Sequence, residues 1–253
     1  METTGTMTSR RYADLYLRDA WYEFVRLLRA PAAAIPMLTF PAMFYVLFGV
    51  VFAHHAPQQA SWVLGSMGAF GVMAPGLFGI GIGVSIERER GLLALKRAMP
   101  VPPGAYLGAK LAMALLFALA IFIILGVLAV ALGGVRLELS EWLALLATML
   151  LGALPFCALG LLVGTLASAQ AAPAVANLIY LPMSFLSGLW IPLKAMPPLL
   201  RHLAPIWPAY HLGQLALESV GLVQASTWHA VFALLAFTVA CFALATRRLQ
   251  RVG

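Results

Sequence analysis

Apolar residues gather in six long runs: Ala34–Ala53, Trp62–Ile86, Tyr106–Leu132, Trp142–Ala167, Pro173–Ile191 and Trp228–Ala245. None carries an Asp or Glu in its middle. About 20 helical residues cross a hydrocarbon core of about 30 Å while satisfying their own backbone. The pattern therefore predicts six spanning helices. Ahead of the first run, Leu17, Trp21, Phe24 and Leu28 fall at helical spacing, opposite a polar face that holds the i,i+4 pair Asp14–Arg18. Such a helix, over residues 10–30, should lie flat on the membrane surface, with Pro31 and Pro36 breaking it before the first span. Residues 193–227 are too proline-broken for a span and too apolar for a free loop. They predict two short helices dipping into the outer leaflet, their irregular backbone covered by protein or a water-lined cavity whose outer mouth they would cap.

Composition sharpens this picture. Of 253 residues, 62% are hydrophobic and 10% charged, against about a quarter charged in soluble domains. That excludes a soluble enzyme, a disordered tail and a fibrous repeat. The net charge of +7 reflects a positive-inside bias rather than nucleic-acid binding. Thirteen of the 16 Lys and Arg residues lie before the first run, around the second-to-third connection or after the last run. Arg136, Lys194 and Arg201 lie on the other side. Both termini are thus expected in the cytoplasm, with the chain multi-pass in the inner membrane. The polar start, Met1–Ser9, is unlike a cleavable signal. Trp62, Trp142, Trp190 and Trp228 fall near run ends, as interfacial anchors do. Gly79–Gly83 and Gly160–Gly164 have the spacing of close helix packing within one subunit. Cys157 and Cys241 read as buried packing residues.

The connection over residues 86–100 carries the most chemistry. Glu87, Arg88, Glu89 and Arg90 alternate in sign, with Glu87 and Arg90 at pairing distance. Gly91 precedes a short helical stretch in which Leu92, Leu95 and Met99 share a face beside Leu93. Lys96 and Arg97 lie on other faces. Pro100, Pro102 and Pro103 end it. This predicts a cytoplasmic knob whose apolar ridge seats in a groove on another protein.

Other chemistries lack their residues. There is no phosphate loop, because none of Lys96, Lys110 and Lys194 follows a glycine. The run Gly76, Gly79, Gly81, Gly83 lies inside a span and reads as packing. Lys110 is the ionisable residue within a run, placed near its cytoplasmic end where it could snorkel to water. Asn177 and Ser184 are polar groups in the fifth run, suited to a helix–helix hydrogen bond or to contact with cargo. His54, His55, His202, His211 and His229 do not sit at metal-ligand spacing with acids. No catalytic residue, metal or cofactor site is expected of this chain.

The 86–100 stretch resembles the segment joining the second and third spans of type-2 ATP-binding-cassette permeases, Glu-Arg-Glu-x-Gly-x-Leu-x-x-Leu-x-x-x-Pro. It departs in having Leu92 where that family has Thr or Ser. Ser187–Pro192, Met196–Pro197, Pro205 and Pro208–His211 resemble the same family's external re-entrant region. The resemblance covers nearly the whole chain. It implies one all-α permease domain over residues 1–253, with the six-span body at 34–247. The coupling helix would comprise Glu87, Arg88, Glu89, Arg90, Gly91, Leu92, Leu93, Leu95, Met99 and Pro100. It also implies a second permease copy, membrane lipid around the assembly, and a separate ATPase subunit that binds ATP and Mg. Export of an amphipathic, drug- or lipid-like cargo follows, along a path touching Asn177, Ser184, Trp190 and Tyr210. A lipid-linked glycan or polysaccharide is the alternative cargo. An intramembrane enzyme or a non-transporting scaffold is the alternative class.

Overall fold

The computed structural model describes residues 9–53, 56–93, 95, 103–224 and 226–252. Regular structure among them is helical throughout. The helices are α1 (Ser9–Leu28), α2 (Pro31–Val51), α3 (Pro57–Glu89), α4 (Pro103–Ala131), α5 (Leu139–Leu166), α6 (Ala172–Leu186), α7 (Pro198–Leu203), α8 (Pro208–Ser219) and α9 (Thr227–Val252).

Five of these helices, α2, α3, α4, α5 and α9, are long and apolar enough to cross a membrane. The predicted fifth run forms α6, which has 15 residues. At 1.5 Å per residue it is about 22 Å long, less than the hydrocarbon thickness. It stops because Gly188 adopts a φ of +80°. The Gly188 N–H then donates to the Phe185 carbonyl and the Leu189 N–H to Ser184, which closes the helix end. The predicted stretch therefore ends as a turn over its last residues.

The prolines act differently from expectation. Pro31 occupies the first turn of α2, where its missing N–H costs nothing. Pro36, predicted to stop a helix, is carried inside α2 together with Pro41. Beyond Phe44 the helix widens into π form over Tyr45–Val51. The same widening follows Pro75, over Pro75–Ile80 in α3. A proline nitrogen cannot donate to the preceding turn, yet in each case the helix continues past it, in widened form further on. In α5 a single turn at Ala153 precedes Pro155.

Helix α3 lies at the centre, buried along nearly all of Ala60–Gly76. Its glycines bring neighbours to backbone contact. A Cβ on Gly76 would lie 2.6 Å from the Cys157 nitrogen, and one on Gly164 would lie 2.8 Å from the Gly81 carbonyl oxygen. Gly160 presses on Gly76 in the same way. The glycine pairs therefore serve packing within the chain, as their spacing predicts. Cys157 and Cys241 are buried free thiols. Helix α8 covers the far end of α3, where a Cβ on Gly65 would be 3.2 Å from the Ala216 oxygen. Trp228 is fully at the surface, whereas Trp190 packs among Phe44 and Phe70 with ring centroids at 5.3 and 5.6 Å.

At the other end of the bundle one apolar cluster joins Phe24 and Leu27 of α1, Val84 of α3 and Met113 of α4. Leu161 of α5 and Ala245 and Leu249 of α9 complete it. Side chains of α1 and of α9 thus contribute to one cluster, at the end that holds Glu87. His54 and His55 lie outside the described residues.

The glycine seam gives a direct test. Gly160→Val places a side chain where the α3 backbone already sits, and neither main chain can yield. Thermal unfolding of detergent-purified protein should show a loss at or beyond the about 3 kcal/mol upper range of core overpacking. Gly91→Ala, where a Cβ meets nothing within 4 Å, should cost only the strain of its φ of +69°.

Candidate functional site

The last turn of α3 brings Glu87, Arg88 and Glu89 to the Glu87 end of the bundle. Successive helical side chains point about 100° apart, so three adjacent residues reach three different neighbours. The alternation of sign follows from what each one meets.

Glu87 points inward, with its side chain 3% exposed. Its Oε1 accepts from Arg26 Nη1 at 2.9 Å and from Lys110 Nζ at 3.0 Å. Its Oε2 accepts from the Tyr106 hydroxyl at 2.7 Å. Glu23 completes the arrangement, with Oε2 at 3.0 Å from Arg26 Nη2 and 3.4 Å from Lys110 Nζ. Two acids and two bases thus alternate around a closed ring drawn from α1, α3 and α4. Lys110 Nζ also lies 5.0 Å from the Tyr106 ring centroid, within cation–π range. Gly83 lies against the ring, where a Cβ would be in ordinary van der Waals contact, 3.4 Å from both Arg26 Nη2 and Lys110 Nζ.

Arg88 turns to α5. Its guanidinium donates to the carbonyls of Thr165 and, at 2.8 Å, of Ala167. These carbonyls close a helix C-terminus, where acceptors lack partners within the helix and a cation is favoured. Glu89 Oε1 accepts from the Ala169 N–H at 2.9 Å, just before α6 begins. The triplet therefore ties α3 to α1 and α4, to the end of α5, and to the start of α6.

Beyond the clamp the direction changes. Gly91 takes a left-handed φ of +69°, the conformation that commonly ends a helix. Its carbonyl accepts from the Leu95 N–H at 3.2 Å, starting a new helical turn. Leu92 and Leu95 are 37% and 60% exposed, while Leu93 is half-buried. Met99 and Pro100, with Lys96 and Arg97, lie outside the described residues.

Two expectations are corrected. Lys110 does not snorkel: it is fully buried and held by Glu87 and Glu23. The reason is that two carboxylates on neighbouring helices already reach it, so the ammonium need not travel to water. Glu87 does not turn outward to meet Arg90; its carboxylate is occupied by the ring, and Arg90 is exposed. Ala20, Glu23, Phe24 and Leu27 face the bundle, with Phe24 5.0 Å from Phe117, while Trp21 and Leu28 remain exposed. Leu17 and Asp14 have side chains outside the described set. Glu23, Arg26, Tyr106 and Lys110 are the site residues that sequence reasoning missed. A carboxylate between Ala20, Phe24 and Leu27 on an apolar face, facing a lysine within an apolar run, was the available signal.

The four path candidates occupy different surroundings. Asn177 is exposed on α6 beside Leu178. Ser184 is fully buried and donates to the Tyr180 carbonyl one turn earlier, at 2.6 Å. Trp190 is half-buried among aromatic rings, with its Nε1 buried and lacking a partner among the described residues. Tyr210 is half-buried, edge-on to His211 at 5.2 Å. Partial burial lowers the His211 pKa, which the hydrogen bond to the Pro205 carbonyl opposes.

The ring is testable by pairwise substitution. Removing one partner strands a buried charge, a loss of about 3–5 kcal/mol. Lys110→Met alone should therefore destabilise the protein strongly. Lys110→Met combined with Glu87→Gln should recover more than half of that loss in thermal unfolding. Additive losses would contradict the pairing.

Comparison with known proteins gives two matches. A family model described as "ABC-2 type transporter" matches residues 16–220. A protein of Bacillus subtilis (strain 168) described as "Putative transport permease YvfS" is 30% identical over 233 residues, which is 90% of this chain and 94% of that one.

Proposed function

Because the chain belongs to the ABC-2 type transporter family and is a transport permease subunit, we propose that it is the membrane half of an ATP-driven exporter. Family membership implies an ATP-binding partner subunit. In our reading that partner holds ATP and Mg, and this chain supplies no catalytic group. The observation that carries the reading is the exposed pair Leu92 and Leu95, placed directly after the Glu87–Glu89 clamp. An apolar ridge in open water is costly unless a partner covers it. Here the ridge is joined to four helix ends through hydrogen-bonded side chains. A push on it would be delivered to α1, α4, α5 and α6 together rather than absorbed by a loose loop.

The remaining features fit this scheme. With α6 as a short sixth span, both termini fall on the cytoplasmic side, which accords with the positive-inside bias. α1 would be the interfacial helix, and α7 and α8 the re-entrant cap on the outer side. Two copies would enclose the path. The apolar character of the spans favours a drug- or lipid-like amphipathic cargo moving outward through the inner membrane. Asn177, Ser184, Trp190 and Tyr210 are the residues assigned to its route.

Leu92→Asp and Leu95→Asp test the scheme. Each should leave thermal stability of the isolated permease within about 0.5 kcal/mol, as surface changes do. Each should reduce co-purification with the ATPase subunit and lower transport-linked ATP hydrolysis in liposomes about tenfold or more, the 1–3 kcal/mol expected for a lost apolar anchor. Undiminished coupling in both variants would defeat this reading.

A further inference from the structure

A second feature lies between α2, α3 and α6, where six aromatic rings form a continuous ladder. From Phe78 of α3 the contacts run to Tyr180 of α6, with ring centroids at 5.3 Å, and back to Phe70 of α3 at 4.8 Å. They continue to Trp190, in the bend after α6, at 5.6 Å, then to Phe44 of α2 at 5.3 Å and Phe48 at 5.9 Å. Phe70 and Tyr180 are buried and form the floor of the ladder, while Phe78, Trp190, Phe44 and Phe48 are half-buried.

Three observations go beyond the packing of apolar rings. First, the Trp190 Nε1 is buried without an acceptor among the described residues, and so is the Ser187 hydroxyl, three residues earlier and 3% exposed. An indole nitrogen can only donate, and a buried donor without a partner bears the full cost of its desolvation. Second, the other polar groups of the ladder are spent. The Tyr180 hydroxyl donates to the Phe70 carbonyl at 3.0 Å, and Ser184 donates to the Tyr180 carbonyl at 2.6 Å. Third, α2 widens into π form over Tyr45–Val51, between Phe44 and Phe48. Such turns recur at functional sites, and this one makes the α2 side of the ladder the less regular side. The occupant follows by chemistry. Flat rings at these separations accept another flat ring, offset or edge-on. A cation would find no counter-charge, because α2, α6 and residues 57–86 contain no Asp or Glu. A glycan brings many hydroxyls, each of which needs a partner. A neutral planar molecule with a carbonyl or ether oxygen for the Trp190 N–H meets every condition.

We infer that the ladder is the cargo site, and that its cargo is a neutral polycyclic aromatic molecule whose oxygen accepts from the Trp190 N–H while its rings lie against Phe44 and Phe70. Because Nε1 is buried in this structure, the rings part to admit the acceptor, and α2 is the element that yields. The assignment to cargo rests on the transport function proposed above. The binding itself does not.

Equilibrium dialysis of the full chain in lipid nanodiscs, with empty nanodiscs as reference, tests this with two probes of one shape: anthraquinone, which carries carbonyls, and anthracene, which does not. Wild-type protein should bind both saturably, anthraquinone about fivefold tighter, which is what one hydrogen bond contributes. Trp190→Phe keeps a ring and removes the N–H, so it should make the two probes equal while leaving anthracene binding unchanged. Anthracene thus reports that the site is intact in the same variant. Phe44→Leu should weaken both about threefold or more, as loss of one aromatic contact does. Phe232→Leu, at an exposed site on α9, should change nothing. Equal affinity of the two probes for wild-type protein overturns the proposal, and that measurement depends on no variant folding. So does a preference for anthraquinone that survives in Trp190→Phe. Displacement of both probes by tetraphenylphosphonium or by maltotriose would assign the ladder to a cation or a glycan and would also overturn it. With the ATPase subunit in liposomes, anthraquinone should raise ATP hydrolysis in wild type and not in Phe44→Leu; binding with hydrolysis unmoved overturns the assignment to cargo. Leu92→Asp should leave the preference between probes intact, so failure of the ladder and failure of the coupling scheme are read separately.

Discussion

Charge buried at the edge of a membrane must be matched, and matched nearby. That constraint organises the Glu87 end of this molecule. Neither Glu87 nor Lys110 could be taken out of water alone, since an unpaired ion costs several kcal/mol even after relaxation. Among the described residues they alternate with Glu23 and Arg26 as two acids and two bases, and the geometry that pairs them also fixes three helices in register. A helix slipped by one residue would rotate its member of the ring by about 100° and leave a charge without a mate. The ring thus contributes specificity of arrangement more than net stability, because an apolar replacement of equal shape could be as stable.

This view joins two roles that a sequence motif can have. Glu87, Arg88 and Glu89 are hydrogen-bonded to other parts of the protein, whereas Leu92 and Leu95 are exposed. Gly91 separates them through its left-handed backbone. The charged half acts as a fastening and the apolar half as a surface for something else. Without the fastening, a partner bound at the leucines would move only a loop.

Much of the architecture was legible in the chain. Long apolar runs between polar connections marked the spans, because burial in hydrocarbon leaves no room for unpaired charge. The glycine pairs were legible as packing for the same kind of reason, since a residue without a side chain is useful where backbones touch. What escaped was relational. Pro36 looked like a breaker, but it is carried inside α2, which runs on through it to Val51. Lys110 looked free to reach water, because nothing along the chain says that Glu23, far away in sequence, will lie beside it. The 15-residue length of α6 depends on a helix cap at Gly188 that an apolar pattern does not register. The triplet's inward orientation also escaped, because charged residues in a connection normally face solvent.

The seam of Gly76, Gly81, Gly160 and Gly164 has a mechanical meaning. Where side chains interlock, rotamers can readjust and the joint has some give. Where main chain rests on main chain, no such adjustment exists, and the two helices behave as a single girder. α3 and α5 therefore shift as one body, and whatever bending the molecule undergoes is left to parts joined through softer contacts, such as α2 with its widened turn.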